Sequence, residues 1–200
     1  MKQYTVAILA GGNSKRFGTE KAMIEFRGEP LIRRMVALAR QVSPNLLVVV
    51  SDDEQSRNLK PLVGDARIVQ DPDDAVRCAL TGALTAFEHA ESEFVQLLPV
   101  DSPLVNTELI GFLMELAEGH GAVVPSWPSG YIEPLHSVYR SEHAYARGLQ
   151  VIESGKYRMS DLLAALRNVI YVSTEVLKQF DKTLSTFTNF NTPGDIRKVE

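Results

Sequence analysis

Val6–Ile32 reads VAILAGGNSKRFGTEKAMIEFRGEPLI, an apolar run followed by glycines and cations. Val6–Leu9 is an apolar run of strand length that stops abruptly at Gly11 and Gly12. A buried strand that ends in glycines leaves backbone N–H groups unpaired at its carboxyl edge. Such a cluster makes a concave site for anionic oxygens. Three cations, Lys15, Arg16 and Lys21, lie within ten residues of it, with a further glycine at Gly18. Together these features imply a phosphate site and a nucleoside triphosphate as its ligand. The other role open to the segment is a surface turn that happens to hold lysine and arginine. Spacing excludes the two commonest glycine-rich phosphate loops. Gly11, Gly12 and Gly18 do not fit G-x-G-x-x-G, and no G-x-x-x-x-G-K-[ST] is present.

Outward from this stretch, apolar runs of strand length alternate with segments of helical period. That is the pattern of an α/β fold with a mostly parallel sheet. Strands are expected at Tyr4–Leu9, Leu46–Val50, Arg67–Val69, Phe94–Leu98, Ala122–Val124, Leu135–Tyr139 and Asn168–Val172. The run LLVVV at Leu46 has no polar alternation and reads as a central strand covered on both faces. Pro30 suits a first helical position, followed by a stripe of Ile32, Met35, Val36 and Ala39. Val76, Leu80, Ala83, Leu84 and Phe87 make a second stripe, and Leu109, Ile110, Leu113 and Leu116 a third. Thr192-Pro193 should cap a short terminal helix. No linker or repeat interrupts the chain, so a single domain over residues 1–200 is expected.

Composition narrows the function classes. With 44% hydrophobic and 23% charged residues, the chain is ordinary for a globular protein with a sizeable core. A formal net charge of −4 argues against general nucleic-acid binding, which wants a basic face. One cysteine, Cys78, excludes an internal disulfide and a multi-cysteine zinc site. No apolar run approaches the length of a membrane span. Met1 leads straight into a strand, without the pattern of a signal peptide, so a cytoplasmic protein with no membrane partner is expected.

Ligands of open α/β sheets bind outside the carboxyl ends of the strands, so the strand ends are where chemistry should appear. The strand at Leu46 runs into Ser51-Asp52-Asp53, which can equally be a helix cap or an Asx-turn. The strand at Arg67 is followed by Asp71, Asp73 and Asp74, a cluster that can also be a solvated N-cap region. FVQLLPVDSPLV, Phe94 to Val105, leads a hydrophobic run into a single carboxylate, Asp101, between Pro99 and Pro103. A lone carboxylate at a buried strand end is costly without a partner. A divalent cation shared with triphosphate oxygens is the natural one, because Mg²⁺ is held by one or two carboxylates plus phosphates. The alternative for Asp101 is the N-cap of the following turn. Further on lie WPSGYIEPLHSVYR, Trp127 to Arg140, and FTNFNTPGDIRK near the end of the chain. His136 alone reads as a packed or surface histidine rather than a catalyst.

LAGGNSKRFGTEK resembles the signature of the sugar-nucleotide and cofactor nucleotidyltransferases. More narrowly, it resembles the molybdenum cofactor guanylyltransferase family, whose loop reads roughly LAGG-x-S-x-R-M/F-G-x-D-K, with Glu20 here in place of the aspartate. PVDSP is similar to the family's P-C-D-x-P, with Val100 replacing cysteine. EPLHSVYR and FNTPGD resemble its E/Q-P-L-x-x-x-Y-R and N-x-N-T-P-x-D-L segments. These pieces occur in order and span Val6 to Lys198. The resemblance implies a three-layer αβα, mostly parallel Rossmann-like sheet of the GT-A type. It implies nucleotide contacts from Leu9, Ala10, Gly11, Gly12, Ser14, Arg16 and Lys21, with Lys15 a position the family leaves variable. It puts nucleoside contacts at Asp53, where the family has an asparagine, and at Asp71. The family's G-P-L-A-G segment is CALTG here, Cys78 to Gly82, and its last glycine implies a contact at Gly82. Asp101 is implied as the Mg²⁺ ligand, and Arg16, Lys21 and Asp101 as the catalytic set. Glu133, Pro134, Asn189 and Asn191 fall on the acceptor side.

The chemistry implied is nucleotidyl transfer, in which an acceptor phosphate attacks the α-phosphorus of a nucleoside triphosphate and pyrophosphate leaves. The acceptor is already an anion, so no general base is required. The resemblance implies GTP as donor, molybdenum-molybdopterin as acceptor, and transient contact with cofactor-insertion or recipient molybdoenzyme proteins. Sister activities share the donor half: a cytidylyltransferase of the same cofactor, or a guanylyltransferase of cobinamide phosphate or phospholactate. A non-catalytic nucleotide- or cofactor-binding module is the rival from another class. Retention of Arg16, Lys21 and Asp101 together argues against it.

Overall fold

Alternation along the first strand sorts the core into two halves. In β1 (Tyr4–Leu9), Val6 and Ile8 join one hydrophobic cluster, while Ala7 and Leu9 join another. Successive side chains of a strand point to opposite faces, so a run apolar at four successive positions, Val6–Leu9, needs cover on both sides. The fold is a computed structural model that describes residues 4–11 and 20–197.

After β1 a hairpin of β2 (Glu25–Phe26) and β3 (Glu29–Pro30) leads into α1 (Leu31–Val42). There follow β4 (Asn45–Val50), α2 (Asp53–Leu59), β5 (Arg67–Gln70), α3 (Ala79–His89), β6 (Phe94–Pro99) and α4 (Thr107–Glu115). The second half carries β7 (Ala122–Ser126), β8 (Val138–Arg140), α5 (Ser141–Glu153) and α6 (Met159–Ala165). It closes with β9 (Val169–Ser173), α7 (Thr174–Leu177) and α8 (Pro193–Arg197). The large sheet runs β5-β4-β1-β6-β8-β7-β9. All its pairings are parallel except those of β8, which is antiparallel to both β6 and β7. Helices α1 and α4 cover one face and α3, α5 and α6 the other, giving the three-layer αβα arrangement. Among the described residues no helix is long and apolar enough to cross a membrane.

Chain order reverses at β1. The chain moves from β1 to β4 and β5, then crosses back to place β6 on the other side of β1. The crevice outside the carboxyl ends of β1 and β6 is therefore a topological switch point.

Three local expectations are corrected. The strand expected at Leu135–Tyr139 begins only at Val138, because Pro134–His136 coils into a 3₁₀ turn. That turn is closed by the His136 N–H donating to the Glu133 carbonyl at 3.0 Å and by Ser137 Oγ donating to the same carbonyl at 2.7 Å. Val76 is 51% exposed and precedes α3, whose N-cap is Cys78. Pro30 is the N-cap of α1 rather than its first residue, since it also ends the hairpin. The hairpin turn at Arg27 and Gly28 has φ of 52° and 79°, the two left-handed positions of a tight two-residue connection.

Gly121 marks a close backbone approach. A Cβ there would collide with the carbonyl oxygen of Arg167, where the Gly121 N–H donates to Asn168 O at 3.0 Å and holds the start of β7 against the turn before β9. Backbone cannot rotate aside as a side chain can. Gly121→Ala is expected to cost about 2 kcal/mol, in the range of overpacked sites. Urea unfolding would read this as a lower midpoint at constant slope, and an unchanged midpoint would show that the two segments can part freely.

Candidate active site

A cavity of about 450 Å³ opens at the switch point, and the ends of the four strands β1, β4, β5 and β6 contribute to it. β1 supplies Leu9 and Gly11, β4 supplies Ser51, β5 supplies Asp71, and β6 supplies Val100 and Asp101. Lys21, Gly82 and Asn189 complete the wall, together with Arg77, Cys78 and Leu135. Such a volume suits a small-molecule ligand.

A Cβ at Gly11 would stand 2.8 Å from Ser51 Oγ, so the hydroxyl would have to shift to admit a side chain there. Ala10 is buried, donating its N–H to Val49 O at 2.9 Å and accepting from Gln55 Nε2 at 3.0 Å. Gln55 also accepts from the Ser51 N–H at 2.8 Å, so one buried amide ties the ends of β1 and β4 together. Sequence reasoning missed Gln55; its only signal was its place three residues after a helix cap. Gly82, in the first turn of α3, leaves space where a Cβ would meet Leu9, Val49 and Asp71 only at 3.8–4.0 Å. Gly12, Ser14, Lys15, Arg16 and Gly18 lie outside the described residues.

Asp53 does not line the cavity. Asp52 caps α2, accepting from the Gln55 N–H at 3.0 Å, and this turns Asp53 outward as an exposed first-turn residue. Ser51 takes the expected place. Arg77, also missed, faces the cavity and reaches Asp52 Oδ2 at 3.3 Å. Asp71 lines the cavity where it was expected, and its Oδ1 accepts from Thr85 Oγ1 at 2.6 Å. Burial pushes the Asp71 carboxyl up, opposed by the Thr85 hydrogen bond and by the charge of Arg77.

The strongest constellation lies across residues far apart in the chain. Lys21 Nζ contacts Asp101 Oδ2 at 2.6 Å and donates to Asn191 Oδ1 at 3.0 Å. The Phe190 N–H donates to Asp101 O at 2.8 Å, and Ser102 Oγ donates to Asn189 Oδ1 at 2.6 Å. Two rings fix this meeting: Phe26 of the hairpin packs edge-on against Phe190 at 5.0 Å, both fully buried. The hairpin carries Lys21 to Asp101, while Phe190 carries the two asparagines.

Glu133 and Pro134 do not line the cavity; Leu135 does. Trp127 Nε1 donates to Glu133 Oε1 at 2.8 Å and draws that side chain inward, where burial pushes its carboxyl up. His136 is buried against it, and burial pushes its imidazole down to about 3. A histidine neutral in the fold but protonated once unfolded favours the unfolded chain in acid. Its contribution is complete above pH ~6.5 and is lost as pH falls from there towards 3, at about 1.4 kcal/mol per unit. His136→Gln should therefore flatten the acid limb of a stability–pH curve. An equally steep limb in the variant would assign the acid sensitivity elsewhere.

A family model for the MobA-like NTP transferase domain matches residues 6–169. The chain belongs to the MobA-like NTP transferase family. A relative from Pelotomaculum thermopropionicum, named a probable molybdenum cofactor guanylyltransferase, is 31% identical over 207 residues, covering 100% of this chain and 93% of that protein. A relative of the same name from Methanosarcina mazei is 29% identical over 202 residues, covering 96% of this chain and 88% of that protein. The solved structure of molybdopterin-guanine dinucleotide biosynthesis protein A from Archaeoglobus fulgidus matches with a TM-score of 0.84 at 28% identity, covering 98% of this chain and 96% of that one. Lys21, Asp71 and Asp101 fall inside the stretch matched to the MobA-like model, whereas Asn189 and Asn191 lie beyond it and are brought to Asp101 by the fold.

Proposed function

We propose that this MobA-like NTP transferase moves GMP from GTP to the terminal phosphate of molybdenum-molybdopterin, as one domain. The observation that carries the reading is the Lys21–Asp101 pair at 2.6 Å, set in the cavity between the ends of β1 and β6. The names of the relatives from P. thermopropionicum and M. mazei support the choice of donor and acceptor.

In this reaction an acceptor phosphate oxygen bonds to the α-phosphorus of GTP. The bond from that phosphorus to the α–β bridging oxygen breaks, and pyrophosphate carries the electron pair away. The nucleophile arrives as an anion, which fits a cavity whose neutral His136 is walled off from it. The protein must align two polyanions and offset their charge. Lys21 provides a compact cation for the triphosphate, and Arg16 a fork for two phosphate oxygens. Leu9, Ala10, Gly11, Gly12 and Ser14 are the residues assigned to the nucleotide's phosphates, and at Gly11 a Cβ would crowd Ser51 Oγ. Asp71 and Gly82 face the nucleoside, and Asn189 and Asn191 the acceptor.

Asp101 is the residue that would hold Mg²⁺. Among the described residues there is no cluster of three or more metal-ligating side chains. A single cavity-facing carboxylate is still the donor set suited to an ion that takes its other ligands from phosphates and water. Bound there, the ion would offset charge on the transferring group and the leaving pyrophosphate. Proteins that insert the cofactor, or receive it, are the expected transient partners.

The deciding experiment measures pyrophosphate release with Mg²⁺ and each of GTP, CTP and ATP, with and without molybdate-loaded molybdopterin. Release with GTP and acceptor together is the expected result. Release with CTP instead would move the protein to the cytidylyl branch, and no release from a folded, nucleotide-binding protein would point to another acceptor or to a non-catalytic role.

A further inference from the structure

Behind the acceptor side of the cavity three polar side chains form a line from the core to the wall. His136 Nε2 stands 3.1 Å from Ser102 Oγ, and Ser102 Oγ donates to Asn189 Oδ1 at 2.6 Å. Ser102 is fully buried, His136 is 1% exposed, and Asn189 is exposed on the cavity wall. The imidazole is fixed in place, meeting Phe187 edge-on at 5.3 Å, while Trp127 packs on the same ring at 5.9 Å. A position that only filled space would be served by an apolar side chain. Here the core carries a polar ring whose Nδ1 has no hydrogen-bond partner.

The direction of these bonds follows from proton counting. The Ser102 hydroxyl has one proton, and it goes to Asn189 Oδ1. What Ser102 receives must then come from Nε2, because a neutral imidazole has a single N–H. Glu133 Oε2, at 3.7 Å from Nδ1, is beyond hydrogen-bond reach, so the shorter contact with Ser102 sets the tautomer. With Oδ1 of Asn189 engaged, its carboxamide N–H groups are the ones left to face the cavity.

We propose that His136 and Ser102 are positioning residues, which orient Asn189 so that its amide donates to an anionic oxygen of the acceptor phosphate. The inference rests on the proposed transfer reaction for the identity of that anion. Neither His136 nor Ser102 touches the cavity itself. A pair that only braced the fold would affect GTP and acceptor alike. A pair that aims one donor should act on the acceptor alone.

The test compares wild type with Ser102→Ala, His136→Leu and His136→Gln, measuring KM for molybdate-loaded molybdopterin and for GTP. Loss of an aligned donor to a phosphate predicts an acceptor KM about tenfold higher in Ser102→Ala and His136→Leu, with GTP KM held within about twofold. His136→Gln places an N–H near the position of Nε2 and should recover most of the loss. A GTP KM that rises in step, an unchanged acceptor KM, or a glutamine variant as impaired as the leucine variant would overturn the proposal. Ser102→Ala removes only one oxygen, so it serves even where a His136 variant fails to fold. Nitrogen-15 NMR reads the ring directly without turnover. An Nε2–H tautomer with an Asn189 amide signal that shifts in Ser102→Ala is expected, and an Nδ1–H tautomer would overturn the line of bonds. A wild type that turns over no acceptor yet shows the Nε2–H tautomer would overturn the functional reading and the acceptor assignment, while supporting the bond line itself.

Discussion

An Asp101→Asn enzyme is expected to fold, bind GTP and turn it over about 10²–10³-fold more slowly than wild type. The substitution keeps the shape of the side chain and removes only its charge. Asp101 is 9% exposed at the end of β6, and the backbone there is held independently by the Phe190 N–H on its carbonyl at 2.8 Å. Lys21 keeps Asn191 at 3.0 Å and some access to water, so the stability change should stay near 1 kcal/mol. Turnover is affected far more, because the charge removed is the one that would hold the metal ion at the phosphates. Pyrophosphate release titrated with Mg²⁺ separates the two effects. Normal turnover that still requires Mg²⁺ would remove Asp101 from the metal site. A parallel collapse of melting temperature and activity would make it a structural residue instead.

The parts of this fold that were legible in the sequence are those where one physical rule acts locally. Apolar residues at every position of Val6–Leu9 and Leu46–Val50 require cover on both faces, and the two strands lie side by side in the interior of the sheet. The stripe Ile32, Met35, Val36 and Ala39 is buried throughout because a period of 3.6 leaves a helix few other choices. Strand ends could be named as sites, but not which side chain of each loop turns inward. That choice belongs to competing hydrogen bonds. The Gln55 N–H captures Asp52 and so moves the cavity position to Ser51, and the indole of Trp127 captures Glu133 and leaves Leu135 on the wall. The line from His136 through Ser102 to Asn189 was hidden for another reason. Its members sit 34 and 87 residues apart, and only the folded chain juxtaposes them.

Lys21→Met should lower kcat/KM for GTP by about 10²-fold while changing the melting temperature little. Lys21 lies in a 3₁₀ turn whose backbone bonds, from the Met23 N–H to Glu20 O at 3.0 Å and from the Ile24 N–H to Lys21 O at 3.1 Å, do not involve its ammonium. The hairpin behind it is anchored by Phe26 rather than by charge. What the ammonium supplies is a small cation bonded at once to Asp101 and Asn191, on the side of the cavity where triphosphate oxygens would sit. Arginine should not substitute well, since a larger planar guanidinium spreads its charge over three nitrogens where a compact ammonium sits between Asp101 and Asn191. Unchanged kinetics in Lys21→Met would sink the assignment. The double variant Lys21→Met/Asp101→Asn tests whether the two charges serve one polyanion. If both act on the same triphosphate, their losses must overlap, and the double variant should fall well short of the product of the single losses. Fully multiplicative losses would mean that the 2.6 Å pair of the free protein separates into two independent roles once nucleotide binds.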